Sequence, residues 1–298
     1  MKIRDILNKN HVTISCELFP PKAGMEQQTT KTAVAELAKM CPDFMSVTYR
    51  AGGTSQKETI EIADAIQNGN HVTALVHLTC VQAKEQDVET MLAELKRRRI
   101  DNVLALRGDI PEGYDTARDA YHFAGELVRK IKTYGDFCVG GACYPEGHPE
   151  AAGLEADIWH VKKKVEAGCD FLTTQMFFDN EVLYRYLYRL RGAGVSVPVV
   201  AGIMPITSAA QVGRIGILSG GCVLPPSLKA LIDAFRDRPN AMRQAGIHYA
   251  TEQIIDLIAN GVTHIHIYTM NKPDVAGRIF KNLEGIVDLR EDDGWKSA

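Results

Sequence analysis

The 298-residue chain is poor in several things that would mark other kinds of protein. Its seven cysteines are an odd number and none forms a C-x-x-C pair; the closest two are Cys138 and Cys143. That argues against a disulfide framework or a structural zinc site and fits reduced thiols in a cytoplasmic protein. Aromatic residues make up only 7% and the net charge is -3. The chain therefore offers neither a stacking surface nor the basic field that attracts nucleic acid or an anionic membrane. No apolar run approaches the roughly 20 residues that span a bilayer. The stretch from Met1 to Asn8 lacks the apolar core and cleavage pattern of a signal peptide. There is no G-x-G-x-x-G after the first strand, no P-loop, no G-x-S-x-G elbow and no H-E-x-x-H. His77, His148 and His160 lack metal-ligand spacing, so no metal site is expected.

What is present is one repeated pattern: a short β-branched run, a polar loop, then a helical stretch. Strands are predicted at 12–19, 44–49, 72–79, 102–106, 137–144, 171–177, 197–203 and 263–269. Helical periodicity fills 29–40, 56–67, 84–98, 120–134, 155–167, 181–193 and 242–260. Alternation of this kind is the signature of parallel βαβ units. Gly168 and Gly261 follow two of the helices where left-handed caps are wanted. Eight strands without a break in composition favour an α/β fold of the (β/α)8 TIM-barrel type, a single domain over residues 1–298. The long stretch 205–262 should hold extra helices, one starting near Pro226. The charge run Lys96–Arg99 reads as the solvated end of a helix.

Alternation along the strands sorts their faces. In the first, Ile14, Cys16 and Leu18 should pack on helices, while Thr13, Ser15 and Glu17 point into the barrel. Ser46 and Thr48, then Thr73 and His77, Arg107 to Asp109, Tyr144, and Thr173 with Gln175 fall at corresponding positions. Barrel enzymes place their chemistry at the C-terminal ends of the strands. Taken singly, Glu17 fits an interior ion pair, Asp109 a loop cap or a partner of Arg107, His77 a satisfied core histidine and Gln175 a buried amide. Their convergence at one end of the barrel favours a site. On the helix predicted at 155–167, Asp157, His160 and Lys164, with Lys163 alongside, read either as a solvated face or as a clamp for ribose and phosphates. The loop 144–151 before it carries two prolines and a histidine, which suits a loop built to hold something.

Several ordered motifs resemble those of methylenetetrahydrofolate reductases: Glu17-Leu18-Phe19-Pro20-Pro21, Ser46-Val47-Thr48-Tyr49, His77-Leu78-Thr79-Cys80, Leu106-Arg107-Gly108-Asp109, Tyr144-Pro145-Glu146-Gly147-His148-Pro149-Glu150 and Gln175-Met176-Phe177-Phe178-Asp179. Pro205 with Gln211, and His266-Ile267-Tyr268-Thr269-Met270-Asn271, complete the series. The motifs span nearly the whole chain, and the resemblance implies a bacterial-type catalytic barrel without a regulatory domain.

The resemblance implies a noncovalent FAD, reduced by NADH or NADPH and reoxidised by a folate in the same place, in a cytoplasmic homo-oligomer of one-carbon metabolism and methionine synthesis. It assigns catalysis to Glu17, as proton donor, and to Asp109. It assigns the flavin to Thr48, Tyr49, Ala51, His77, Arg107, Gly108, Asp109, Ala124, Tyr144, His148, Ala151, Asp157, His160, Lys163 and Lys164. Gln175, Gln211, Tyr268 and Lys272 would bind substrate, with Lys272 on the glutamate tail. A carboxyl group in a partly desolvated barrel mouth can carry a proton near neutral pH, which suits opening of a methylene bridge. The sequence departs from the family pattern at His160, Lys163, Ile215 and Lys272; the change at Ile215 leaves a protein electron donor open. Outside the resemblance, a folate- or flavin-binding subunit without turnover and a metal-dependent lyase or aldolase barrel remain alternatives.

Overall fold

A computed structural model describes residues 1–9, 11–21, 27–49, 56–218 and 221–287. Eight strands alternate with helices in chain order: β1 (Thr13–Leu18), β2 (Phe44–Val47), β3 (Thr73–Thr79), β4 (Asn102–Leu106), β5 (Cys138–Cys143), β6 (Phe171–Thr174), β7 (Val199–Ile203) and β8 (His264–Tyr268). All neighbours pair in parallel and β8 closes on β1, so the sheet is a closed barrel. The eight predicted strands are all present, trimmed by up to three residues at their ends. Gln175 shows why β6 stops early. Its backbone N–H still bonds Cys143 O at 2.7 Å, but its own Oε1 then takes the next N–H, of Met176, at 2.8 Å. A local side-chain acceptor has replaced the ladder.

Both faces of β1 are buried, but they serve different cores. Ile14, Cys16 and Leu18 join the large cluster shared with the helices. Thr13 and Ser15 point inward and bond side chains of β8. The helices present matching apolar stripes. In α4 (Glu85–Arg97) the buried residues are Val88, Met91, Leu92 and Leu95, a spacing of three and four that lays one face on the barrel. Glu85 and Asp87 in the first turn and Lys96 and Arg97 in the last complement the helix dipole. Arg97 and Arg98 both reach Glu94 at 2.6 Å, so the charge run is a paired, solvated helix end. Gly168 and Gly261 have φ of +115° and +81°, the left-handed caps their positions call for.

Four helical features extend the pattern. The short α1 (Ile3–Leu7) closes the N-terminal end of the barrel. Its Ile3, Ile6 and Leu7 pack on an inner layer of Phe44, Leu75, Leu104, Cys138, Phe171 and Val200. Asn102 locks it there, accepting from Ile3 N at 2.8 Å and donating to Ala74 O at 3.1 Å. The helix expected at 56–67 divides into α3 (Gln56–Asp64) and a π-helical turn over Ala65–Gly69. Asn70 and Gln67 tie that turn to Ala65 O and Ala74 N. Between β7 and β8 lie α8 (Ala209–Leu218), α9 (Pro226–Phe235) and α10 (Pro239–Ala259), with α9 starting at the proline that predicted it. After β8 comes α11 (Pro273–Leu283). The helices α8 to α10 cover a separate apolar cluster of Met176, Phe178, Met204, Ile206, Ile215, Leu228, Ile232 and Met242 on the C-terminal side. Among the described residues no helix is long and apolar enough to cross a membrane.

Candidate active site at the C-terminal mouth of the barrel

Strand alternation brings Glu17 to the inner wall near the end of β1, in register with Ser46 of β2 and Tyr268 of β8. It is buried, 7% exposed. Its Oε2 lies 3.7 Å from His77 Nε2 and 3.9 Å from His266 Nε2. Neither distance is a hydrogen bond; the two rings flank the carboxylate and leave its oxygens available to a ligand. The closure of β8 on β1 sets its position. Thr269 Oγ1 donates to Glu17 O at 2.6 Å, and Asn271 exchanges two 2.8 Å side-chain bonds with the backbone of Phe19. Met270 and Asn271 take φ of +53° and +54° to make that turn, a conformation rare for residues with a side chain.

His266 is the member of this group that strand reading did not assign. Ser15 Oγ donates to Ile265 O at 3.0 Å, so the same oxygen accepts from His266 Nδ1 at 2.8 Å. That assigns the ring proton to Nδ1 and lets Nε2 accept from Ser46 Oγ at 3.3 Å. The partners are 251 and 220 residues away in sequence, and only barrel closure joins them. His77 is buried as well, and burial lowers its pKa to about 4, with Glu17 opposing and His266 assisting. Its ring is neutral at pH 7, and its buried Nε2 has no hydrogen-bond partner among the described residues.

A second group surrounds the ends of β4 and β5. Arg107 makes a bidentate pair with Glu150 at 2.5 and 2.7 Å, and that pairing raises its pKa. Its Nε is buried without a partner among the described residues. Gly108 has φ of +85° and packs against Thr79, so a side chain there would be strained and crowded. Tyr144 sits edge-on to His148, ring centroids 4.7 Å apart, and burial pushes its phenol up to about 12. Burial and then Arg107 lower the pKa of His148. The loop is tied internally by Gly147 N to Tyr144 O and Ala151 N to His148 O, both 2.9 Å. Its Glu146 carboxylate accepts Val223 N at 2.9 Å, joining it to the segment before α9. Helix α6 (Leu154–Glu166) follows. Its Asp157 is buried and has its pKa raised by burial. Lys164 reaches back to Ala142 O at 2.5 Å.

The other expected site residues are placed as follows. Thr48 and Tyr49 are buried just beyond β2, and Ala124 is buried at the first turn of α5 (Ala124–Tyr134). Asp109 is exposed on the loop after β4. His160 and Lys163 are exposed on α6, where both meet the Trp159 ring and Lys163 pairs with Glu166 at 2.8 Å. The polar stripe of α6 is thus divided, with Asp157 buried, Lys164 bound to the barrel backbone, and His160 and Lys163 outside. Gln211 Oε1 accepts from Thr207 N and Oγ1 at 2.8 and 2.9 Å, and Lys272 donates to the same hydroxyl at 3.1 Å. Tyr268 donates to Thr174 O at 2.6 Å, and burial raises its pKa well above the usual phenol value. Ala51 lies outside the described residues. Among those described, no cluster of three His, Cys, Asp or Glu is arranged to hold a metal ion.

Among the described residues, four buried polar atoms of this mouth lack a hydrogen-bond partner: Thr48 Oγ1, His77 Nε2, Arg107 Nε and Asp157 Oδ2. Buried polar groups are rarely left unpaired, so each points to a polar ligand. The fold and the mouth define an α/β barrel with a candidate polar ligand site at the strand ends. The chain belongs to the methylenetetrahydrofolate reductase family, whose model matches residues 2–284. It is 35% identical to methylenetetrahydrofolate reductase (NADH) 1 of Arabidopsis thaliana over 96% of this chain and 50% of that protein. It is 30% identical to 5,10-methylenetetrahydrofolate reductase of Escherichia coli, covering 94% of this chain and 95% of that one. It spans about half the length of the plant relatives and nearly all of the bacterial one. A Clostridium thermocellum protein solved with two copies of 5-methyl-5,6,7,8-tetrahydrofolic acid shares the fold, with a TM-score of 0.65 at 14% identity over 96% of this chain and 99% of that one.

Proposed function

We propose that the chain, as one catalytic barrel, reduces 5,10-methylenetetrahydrofolate to 5-methyltetrahydrofolate with NADH or NADPH through FAD, in two alternating half-reactions. The observation that carries this reading is the buried Glu17 carboxyl group flanked by His77 and His266, beside the four unpartnered polar atoms. Family membership and the methyltetrahydrofolate bound by the Clostridium thermocellum protein support it.

FAD, when bound, supplies a two-electron carrier between nicotinamide and folate. Thr48, His77, Arg107 and Asp157 fit it because each brings a buried polar atom without a partner. Tyr49, Ala51, Gly108, Ala124, Tyr144, His148, Ala151, His160, Lys163 and Lys164 complete the proposed contacts. Glu17 gives its proton to the folate nitrogen that leaves the methylene bridge as the C–N bond breaks. The resulting iminium carbon accepts hydride and becomes the methyl group. Neutral His77 adds no positive charge beside the donor, and the His266–Ser15–Ser46 set holds the opposite flank. Asp109 would stand near the pterin, where its negative charge favours the cationic iminium. Gln175 would hydrogen-bond pterin and nicotinamide in turn; Gln211, Tyr268 and Lys272 would hold the folate. The proposal includes a cytoplasmic homo-oligomer.

Anaerobic absorbance of the FAD-loaded protein tests the reading. Bleaching by NADH or NADPH, then reoxidation by 5,10-methylenetetrahydrofolate with formation of the methyl product, is the expected result. Bleaching only by dithionite, with reoxidation by folate intact, would move the electron source to a protein donor. Failure of folate to reoxidise the reduced flavin would overturn the proposal.

A further inference from the structure

The loop that follows β4 is held by a buried carboxylate that the proposed chemistry does not use. Asp119 ends the 3-10 turn Thr116–Arg118 and is 8% exposed. Its Oδ1 accepts two hydrogen bonds, from Gln82 N at 3.1 Å and from Tyr114 Oη at 2.6 Å. Its Oδ2 is buried without a partner among the described residues. The bond from Gln82 crosses to the loop after β3, and Ala120 N adds a second crossing to Ala83 O at 3.1 Å. Gln82 has φ of +59°, a left-handed conformation that a residue with a side chain disfavours. Its own side chain is exposed, so packing does not hold it there, and the bond to Asp119 opposes its relaxation. The residue before it continues the link. Val81 N donates to Arg107 O at 2.9 Å, and Cys80 N reaches the same oxygen at 3.0 Å. Those bonds fix the carbonyl from which the chain turns into Gly108, whose φ of +85° brings it against Thr79. A path of short bonds thus runs from Asp119 through Gln82 and Val81 to the end of β4, where the flavin reading places Arg107, Gly108 and Asp109.

We propose that Asp119 is a positioning residue for the FAD site. In this role it touches neither cofactor nor substrate. It holds Gln82 left-handed, which aims the Val81 and Cys80 N–H groups at Arg107 O and so sets where Arg107, Gly108 and Asp109 stand. The inference rests on the FAD reading and extends it to a residue outside the strand-end motifs. What the link uses is one acceptor oxygen, since Oδ2 makes no bond among the described residues. An asparagine supplies that oxygen and an alanine does not.

Release of FAD on dilution of the FAD-loaded protein, read by flavin fluorescence, gives a dissociation constant without turnover. Asp119→Ala should raise it about tenfold, while Asp119→Asn stays within about twofold of the unmodified protein. Asn102→Ala, at the opposite end of the barrel, is the control for general loss of stability: it should lower the melting temperature and leave FAD affinity unchanged. The same link can be broken from its other end without touching the buried carboxylate. Gln82→Val, whose branched side chain opposes a positive φ, should weaken FAD binding, and Gln82→Gly should not. That pair carries the test if circular dichroism shows Asp119→Ala unfolded. FAD affinity unchanged in folded Asp119→Ala, or lowered equally in Asp119→Asn, would overturn the proposal. So would an equal loss in Asn102→Ala, or the same affinity in Gln82→Val and Gln82→Gly. If the unmodified protein binds no FAD, the flavin reading fails and this inference with it; FAD binding that none of these variants alters leaves that reading standing and removes only the positioning role.

Discussion

The two ends of the barrel interior are built from the same eight strands with the same alternation, yet they hold opposite chemistry. Toward the strand N-termini the interior holds an apolar layer of Phe44, Leu75, Leu104, Cys138, Phe171 and Val200, sealed by Ile3, Ile6 and Leu7 of α1. Toward the C-termini they are Glu17, Ser46, His77, His266 and Tyr268, with hydrogen bonds that run across strands or stop short of completion. The apolar end stabilises by removing surface from water, roughly 1.5–3 kcal/mol for a fully buried large side chain. The polar end forgoes that gain and holds the Glu17 carboxyl group beside the neutral imidazole of His77. One strand thus serves stability at its start and chemistry two or four residues later.

Substitutions at the two ends should separate these effects. The largest is expected at Glu17: Glu17→Gln should lower steady-state turnover by about 10²–10⁴-fold, the usual contribution of a general acid, with little change in melting temperature. Phe171→Ala should do the reverse, costing about 3–5 kcal/mol in urea unfolding while activity per folded molecule persists. If Phe171→Ala abolished activity in a folded protein, or Glu17→Gln destabilised the fold comparably, the division of the interior would be wrong.

The sequence showed one of these ends more clearly than the other. Periodicity placed all eight strands because each is apolar toward the helices, whichever side of the barrel its inner face serves. It missed α1, whose five residues are too few to establish a period, and α11, which lies beyond the last predicted strand; α8 falls in the stretch expected to hold extra helices, but its bounds were not assigned. In the site, Glu17 and His77 were legible as polar residues on inward faces near strand ends. The assignment of His266 was not, because its meaning comes from Ser15 and Ser46, more than 200 residues away, through a closure that local pattern does not contain. The α6 stripe marks the limit of helical spacing as evidence. Asp157, His160 and Lys164 share a face by count, but the barrel wall buries only Asp157, and Lys164 turns to Ala142 O. The resemblance supplied the remaining assignments, which pattern alone would have left as polar side chains facing water.

Smaller effects sharpen the comparison. His77 has a pKa of about 4 in the folded protein against 6.5 as a free ring, because burial disfavours its charged form. The unfolded chain therefore binds more protons between those values, and folding stability must fall as pH drops from 6.5 toward 4. Urea unfolding at pH 7.5 and 5 should show the unmodified protein losing about 2 kcal/mol more on acidification than His77→Gln. Equal losses would show that the ring is not held neutral. Asp157→Asn should weaken FAD binding about tenfold in a fluorescence titration, the scale of one hydrogen bond to a charged group. Glu150→Ala should be the mildest, within about 1 kcal/mol in unfolding, since Glu150 is largely exposed and such pairs contribute little.

The most direct test resolves the two half-reactions of Glu17→Gln by anaerobic stopped-flow absorbance. A donor acting only at the folate nitrogen leaves flavin reduction by the nicotinamide near the unmodified rate and slows reoxidation by 5,10-methylenetetrahydrofolate by about 10²-fold or more. Reoxidation at the unmodified rate, or equal slowing of both steps, would contradict the account.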